Sequence, residues 1–571
     1  MLLRILIVCF AQQSFIFLFS SIGKNALAIP IRGVHPWTTI LCKFRNNPSE
    51  PKPATWFSHW LNDKHDGSIS RYFKDVSNGV YSVENSNVVG WYTLPYTREE
   101  MEFLARWDKK LDIFKEIPMK TYYKIKEMCI ETAKRNGAFL HKNLISVIND
   151  ESIAIFCKEY GVLLSPKFLA SSVLSHEMTH SFNIGHSYSD ENITIYPYSS
   201  VGEYGDKYDL MSTANAYMYP STYGLNGPGL NGPHLDFLGW IPADRLYYFG
   251  RNGKNNENLR LASLSIPHRN STDNLLMLIP YNKDNAQDVF VVQLRTPSSL
   301  DKGIKKPAVV IHKIQNEKGF IFSYLVTQSG HSGNLEVGRE WIEYLEGKGD
   351  GQFRYIRVKF VKYYPEFQLA DLHITSTFDP TACKRTEIQR RIVPDDPVCV
   401  TKKTQNMIQK STKLDEFRKH KNGSCISGFV PRFALTGDDV CVREAERLSV
   451  RAQNRRWFRR QNFYRNLMTY GLNACRAGYV WRQLDPYDYV CVTPQRQKET
   501  REENVRAAVR FPDAPGRCRP GFLARSAFDY DDVCVSAEEH LQSQLDNREM
   551  KRRLLYYGFF NGIDEVNEDS Y

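Results

Sequence analysis

The sequence predicts a multidomain protein with an α+β domain over residues 29–248, a β-sandwich-like domain over 249–380 and disulfide-closed repeats over 381–547. Three observations predict it. Helical and strand periodicities alternate up to residue 248. Six short alternating runs at turn-broken spacing follow. Beyond residue 380, eight cysteines then fall into four pairs, each enclosing 15 residues.

Ahead of the first domain, Met1 to Ala28 reads as a signal peptide. Arg4 provides the positive end, Ile5 to Phe19 an apolar run broken at Gln12-Gln13-Ser14, and Ala26-Leu27-Ala28 a small-x-small cleavage site. No later stretch has the roughly 18 uninterrupted apolar residues that span a bilayer. The expectation is a secreted, extracellular chain with no membrane span once the leader is removed. Only about ten residues separate Ala28 from the first expected strand, too few for a folded inhibitory prodomain.

Within 29–248, Thr38 to Phe44 reads as a strand, Ser68 to Val76 as a helix and Val80 to Trp91 as a hairpin or extended pair. Met119 to Lys134 has helical spacing and stops at Asn136-Gly137. Leu144 to Ile148 is a short strand. Ser165-Pro166 is placed to cap and start the next helix. On that helix Leu169, Val173, His176 and His180 share one face, so the two histidines should point inward, onto the sheet.

His176-Glu177-Met178-Thr179-His180 is the most informative stretch. Two imidazoles four residues apart on a helix converge on one point, and a glutamate beside them can bond a water there without being a ligand. His186, ten residues after His176, can return as a third ligand if the chain turns sharply at Asn183, where a left-handed backbone is needed. Three neutral imidazoles leave zinc a fourth position for water, which Glu177 deprotonates for attack on a carbonyl. Further on, Tyr208-Asp209-Leu210-Met211-Ser212 resembles the methionine turn of the metzincin zinc proteases, which implies that Met211 forms an apolar floor beneath the ligands.

The pattern H-E-x-x-H-x-x-N-x-x-H with that methionine turn resembles the metzincin zinc proteases. The segments Glu203-Tyr204-Gly205-Asp206-Lys207-Tyr208-Asp209-Leu210-Met211 and Gly232-Pro233-His234-Leu235-Asp236-Phe237-Leu238-Gly239-Trp240 are similar to the gametolysin (autolysin) branch of that clan. Ser68-Ile69-Ser70-Arg71-Tyr72-Phe73, Ser77-Asn78-Gly79 and Gly90-Trp91-Tyr92 resemble the same group's early helix and hairpin. The likeness covers residues 37 to 245 and departs from the clan at Asn183, where glycine is usual. It implies a metzincin-like catalytic domain, one catalytic Zn2+ held by His176, His180 and His186, Glu177 as general base, and a polypeptide substrate. Astacin-type members add a tyrosine ligand two residues after the methionine; Thr213 stands there, so the resemblance implies no such ligand. Asp206 and Asp209 leave a calcium ion open. Two other functions stay open at this point, a catalytically silent binding protein and a zinc hydrolase acting on a wall or glycan substrate.

The middle domain is expected from Leu275 to Ile279, Val289 to Leu294, Ala308 to His312, Phe320 to Val326, Tyr355 to Phe360 and Leu372 to Thr375. It holds no evident cluster of ligand-type residues, which suggests packing or substrate positioning.

The repeats pair Cys383 with Cys399, Cys425 with Cys441, Cys475 with Cys491 and Cys518 with Cys534. Each unit has arginine seven after its first cysteine (Arg390, Arg432, Arg482, Arg525) and aspartate three before its second (Asp396, Asp438, Asp488, Asp531). Equal spacing favours closure within each unit, although eight cysteines allow 105 pairings. Closing such a loop is worth about 3 kcal/mol by chain entropy, which units with so little core need. Upstream, Cys129–Cys157 is the expected bridge and Cys42 a buried thiol. Residues 381–571 carry 34 Lys and Arg against 26 Asp and Glu, a surplus of eight within the chain's +11. Arg451, Arg455, Arg456, Arg459 and Arg460 concentrate it, which suits an anionic glycan or matrix surface rather than nucleic acid in a secreted chain. Asn192, Asn270 and Asn422 head N-glycosylation sequons. Residues 548–571 are an acidic-ended, partly disordered tail.

Overall fold

The computed structural model describes residues 31–554, apart from short internal stretches of which 346–353 and 511–517 are the longest. The expected leader, and the tail beyond residue 554, lie outside the described residues. Among the described residues no helix is long and apolar enough to cross a membrane.

A five-stranded sheet organises the front of the molecule, in the order Asn87–Thr93, Trp37–Lys43, Asn143–Ile148, Gly161–Leu164, Ala154–Cys157. Only the last strand runs antiparallel to its neighbour. Both faces are covered, so the strands are apolar nearly throughout. Leu41, Ile145, Val147 and Leu164 face the core that holds the helix Ser171–His180. Ile40, Ile148 and Leu163 face the long helix Ile117–Arg135. The expected helix at Ser68 is present as Ile69–Val76, with the Ser68 hydroxyl accepting from the Arg71 N–H at 3.2 Å.

Three local expectations are corrected. Val80 to Trp91 is not a hairpin: Tyr81–Ser82 pairs in parallel with Gly33–Val34, and Asn87–Thr93 joins the main sheet. Ser165-Pro166 starts a separate single turn, Pro166–Phe168, and the Ser165 hydroxyl bonds the Ile153 backbone instead of capping a helix. The helix that follows begins at Ser171, which is pinned by the Trp60 indole N–H at 2.9 Å and by the Tyr223 carbonyl, so Leu169 lies outside it. Finally, Cys42 is no free thiol. It projects from its strand toward the long helix and is bonded to Cys129, Cα to Cα 6.0 Å, in the same buried cluster as Cys157. The tertiary placement of strand against helix chose this pairing over Cys129–Cys157.

Two further sheets form a sandwich, as the alternating runs predict. One has six strands in the order Leu246–Tyr248, Leu276–Pro280, Val289–Arg295, Ala308–Glu317, Phe320–Leu325, Tyr188–Ser189. The other has four, Asn256–Ala262, Leu369–Ser376, Arg354–Tyr364 and Glu340–Leu345. Met277, Ile279, Phe290 and Val292 of the first pack on Ile356, Val358, Leu372 and Ile374 of the second. The opposite face of the six-stranded sheet, with Leu276, Leu278, Val289 and Val291, is buried in the front core. Strands at 188–189 and 246–248 also come from the front region, so the two regions share a sheet.

All four repeat disulfides form as expected, with Cα separations of 5.4 to 5.7 Å. In each unit the arginine makes a buried two-pronged pair with its aspartate: Arg390–Asp396, Arg432–Asp438, Arg482–Asp488 and Arg525–Asp531. A helix follows every unit: Lys402–Lys413, Glu444–Tyr470, Pro494–Arg510 and Ala537–Arg553. The last runs six residues past the expected repeat boundary at 547.

Candidate metal centre

The helix Ser171–His180 places His176 and His180 one turn apart on its inward side, next to the edge strand Ala154–Cys157. The chain leaves the helix through Asn183, whose φ of 62° is the left-handed conformation that its place in the motif requires. Ile184, Gly185 and His186 then fold back. All three histidines are buried, and one ligand-type atom from each lies within 4.8 Å of the others.

The hydrogen bonds of the rings settle their tautomers. His176 Nδ1 donates to the Leu210 carbonyl at 3.1 Å and His180 Nδ1 to the Ile184 carbonyl at 2.8 Å. His186 Nδ1 donates to the Glu203 carboxylate at 2.6 Å. A carbonyl can only accept, so Nδ1 of His176 and His180 carries the proton, and in the neutral rings Nε2 presents a lone pair. The Nε2 atoms of His176 and His180 are 3.1 Å apart. Ligands about 2.0–2.1 Å from a tetrahedral zinc would sit roughly 3.3 Å from one another, so the donor set fits such an ion. Burial, reinforced by the neighbouring imidazoles, lowers His176 to about 3 and His180 well below its usual value, which keeps both neutral. This three-histidine cluster could hold a metal ion.

Glu177 is buried beside the cluster. Burial pushes its carboxyl up to about 8, opposed by the Phe156 backbone N–H and by the charge of Lys126. A dication at the histidines would pull it back down. Lys126 is itself buried, and burial lowers its pKa; its Nζ donates to the Gly161 carbonyl at 2.8 Å.

Met211 is fully buried in the core that contains the helix. Its turn is held by Asp209, whose carboxylate accepts from the Met211 N–H at 2.7 Å, the Asn231 N–H at 2.8 Å and His234 Nδ1 at 2.6 Å. Asp206 accepts from the Tyr208 N–H, Asn231 Nδ2 and His312 Nε2. Both carboxylates are thus engaged by protein donors.

Sequence reasoning missed several groups. Glu203 orients His186. Tyr204, with φ 61°, lays its ring 4.3 Å from that of His186 and its hydroxyl 3.2 Å from His186 Nε2, on the side where the lone pairs converge. Nothing in spacing marks these two. The nearest signal is Gly202 and Gly205, where a Cβ would meet Ser189 at 2.3 and 2.1 Å, so that the loop can lie against the chain leaving His186. From Tyr204 an aromatic path runs outward through Tyr196 to the exposed Tyr198, which stack at 5.5 Å.

The middle region also reaches the site. Its Arg295–Asp301 pair bonds Leu230 and Gly229; the Gly229 carbonyl accepts from Leu210, and the Leu210 carbonyl orients His176. Gln293 accepts from the Gly232 N–H at 2.5 Å, where any side chain on residue 232 would collide with it. Asn192, Asn270 and Asn422 are all exposed.

No protein-family model matches the chain, and no curated protein does. Among solved structures, OgpA of Akkermansia muciniphila overlaps 61% of this chain and 97% of its own at 11% identity and a TM-score of 0.24. Catalytically inactive OgpA with an O-glycopeptide (glycodrosocin) substrate overlaps 61% and 96% at 10% identity and a TM-score of 0.21. Overlaps at these scores carry nothing about the reaction.

Proposed function

We propose that the protein is a secreted, zinc-dependent endopeptidase of the metzincin type, with His176, His180 and His186 as ligands, Glu177 as general base and a polypeptide as substrate. One observation carries this reading: three buried imidazoles, each fixed by an acceptor on Nδ1, bring ligand-type atoms within 4.8 Å of one another, with a carboxyl adjacent. Bound zinc would polarise the scissile carbonyl and acidify a water molecule toward pH 7. Glu177 takes the proton of the attacking water and delivers it to the leaving amine. Tyr204, held over His186, offers its hydroxyl to the carbonyl oxygen as negative charge develops there. Met211 and the apolar core behind it exclude water from the back of the ligands. Cysteine closure of the repeats fits an oxidising, extracellular setting.

The test is Glu177→Gln, read by zinc content and by hydrolysis of denatured casein. Zinc should remain bound while turnover falls at least about a hundredfold. Turnover at the wild-type rate would sink the assignment.

A further inference from the structure

The four repeats are assembled as two pairs, and the pairs differ in what they do with charge. In the first, the helix after unit one gives Thr412 to Arg432 of unit two at 3.0 Å, and the helix after unit two gives Gln453 back to Arg390 at 3.2 Å. In the second, the helix after unit three gives Glu503 and Asn504 to Arg525. The helix after unit four returns to unit three, where Arg553 donates to the Cys491 carbonyl and Leu554 bridges Cys475. The reciprocal exchange makes each pair one packing unit.

The second pair is anchored. Unit three bonds the front domain through Arg32–Asp485, through the Pro486 carbonyl on the Ala243 N–H, and through Tyr489 and Asn473 on the Ile241 and Asp236 carbonyls. Its residues 471–554 hold 14 Lys and Arg against 13 Asp and Glu. Residues 381–470 hold 20 against 9, a surplus equal to the net +11 of the whole chain.

That surplus is on the surface. Arg391, Lys402, Lys403, Lys410, Lys413, Lys421, Arg443, Arg451, Arg455 and Arg456 are exposed, and among the described residues none of them shares an ion pair. Among the described residues the exposed acids there are Glu416, Asp439 and Glu444. A stability role does not explain ten unpaired cations on a unit whose twin folds the same way with balanced charge; self-repulsion costs stability instead.

We propose that the first repeat pair is a docking surface for an acidic polysaccharide, one carrying sulfates or carboxylates along its length, and that the second pair fixes this surface to the catalytic body. The occupant follows from three features. Cations spread over two helices and the loops between suit an extended polyanion better than a compact one. Helix Lys402–Lys413 buries Ile408 inside the pair and exposes Met407 alone among its apolar side chains, which is too little for an apolar face that enters a bilayer. Disulfide closure places the pair where the available polyanions are glycans. The proposal rests on the extracellular setting proposed above and is independent of the peptidase reading.

The full chain is passed over immobilised sulfated glycosaminoglycan, its chemically desulfated form, hyaluronan, and vesicles containing phosphatidylserine. Retention by the sulfated or the carboxylated glycan, reversed by salt, is expected; the two glycan arms identify the group recognised. Lys403, Lys410, Arg451, Arg455 and Arg456 all changed to Gln should weaken retention at least about tenfold. The matched change of Lys498, Arg501, Arg519, Arg548 and Arg552 in the second pair should alter it less than about twofold. Both variants are checked for unchanged thermal unfolding, and wild-type footprinting of lysine acetylation with and without glycan gives the same answer without any mutation. Equal losses in the two variants, retention on vesicles alone, retention on neither glycan, or no protection of Lys403 and Lys410 would each overturn the proposal.

Discussion

Two groups of buried histidines lie within one core, and they are built oppositely. His234 and His312 each turn a ring nitrogen onto a carboxylate, Asp209 at 2.6 Å and Asp206 at 2.8 Å. His176, His180 and His186 use one nitrogen on an acceptor and turn the other toward each other. The first arrangement is a pair of imidazole–carboxylate contacts, with His312 Nδ1 buried and without a hydrogen-bond partner of its own among the described residues. The second places lone pairs face to face, which is favourable only with a cation between them. The contrast separates a framework from a metal site without reference to any relative: both groups contain buried histidines, and only the direction of the second nitrogen distinguishes them.

His180→Ala should break the convergent group outright, with loss of bound zinc by elemental analysis and loss of hydrolysis, while the fold persists. Asp209→Ala should instead strike the framework. It leaves the Met211 N–H, the Asn231 N–H and His234 without their acceptor, and the cost in denaturant unfolding should be about 3–5 kcal/mol, with zinc still bound to the folded fraction. If that variant lost zinc at unchanged stability, the division between the two groups would fail. Tyr204→Phe tests a hydroxyl on the convergent side. It should lower kcat about ten- to a hundredfold with KM and zinc content little changed; a rise in KM alone would make Tyr204 a binding residue.

A further effect is in pH. His176 titrates near 3 in the fold and near 6.5 when unfolded, so the unfolded state binds the extra proton between those values. Stability of the metal-free protein is therefore intact above 6.5 and is lost as pH falls toward 3, by about 1.4 kcal/mol per pH unit for one such group. Acid should release zinc together with tertiary unfolding, as followed by near-ultraviolet circular dichroism. Release near pH 6.5 from a still-folded chain would mean that the ring is less buried than its packing indicates.

Much of this was legible in one dimension because the forces involved are local. The helix rise puts His176 above His180, a left-handed Asn183 turns the chain, and a fixed cysteine interval closes each repeat around an Arg–Asp pair. Sandwich strands were legible where side chains alternate, although Asn256–Ala262 and Glu340–Leu345, with several exposed residues, lacked the pattern and were missed. The hairpin expected at Val80 to Trp91 failed because adjacent strands were assumed to pair, whereas both found parallel partners far along the chain. The expected Cys129–Cys157 bridge failed for the same reason: Cys129 pairs with Cys42 instead, and cysteine proximity across 87 residues is decided by how a strand meets a helix.

The sequence by itself determined the three-histidine cluster, the glutamate beside it, the left-handed turn and the four closed units, because each depends on residues close together along the chain. Only the tertiary structure decided which nitrogens carry protons, that Tyr204 and Glu203 stand at His186, that a remote Arg295–Asp301 pair steadies His176, and that the repeats work in pairs. Those are contacts between segments up to 125 residues apart, and they exist because burying both faces of each sheet leaves every polar group inside to find its partner in another element.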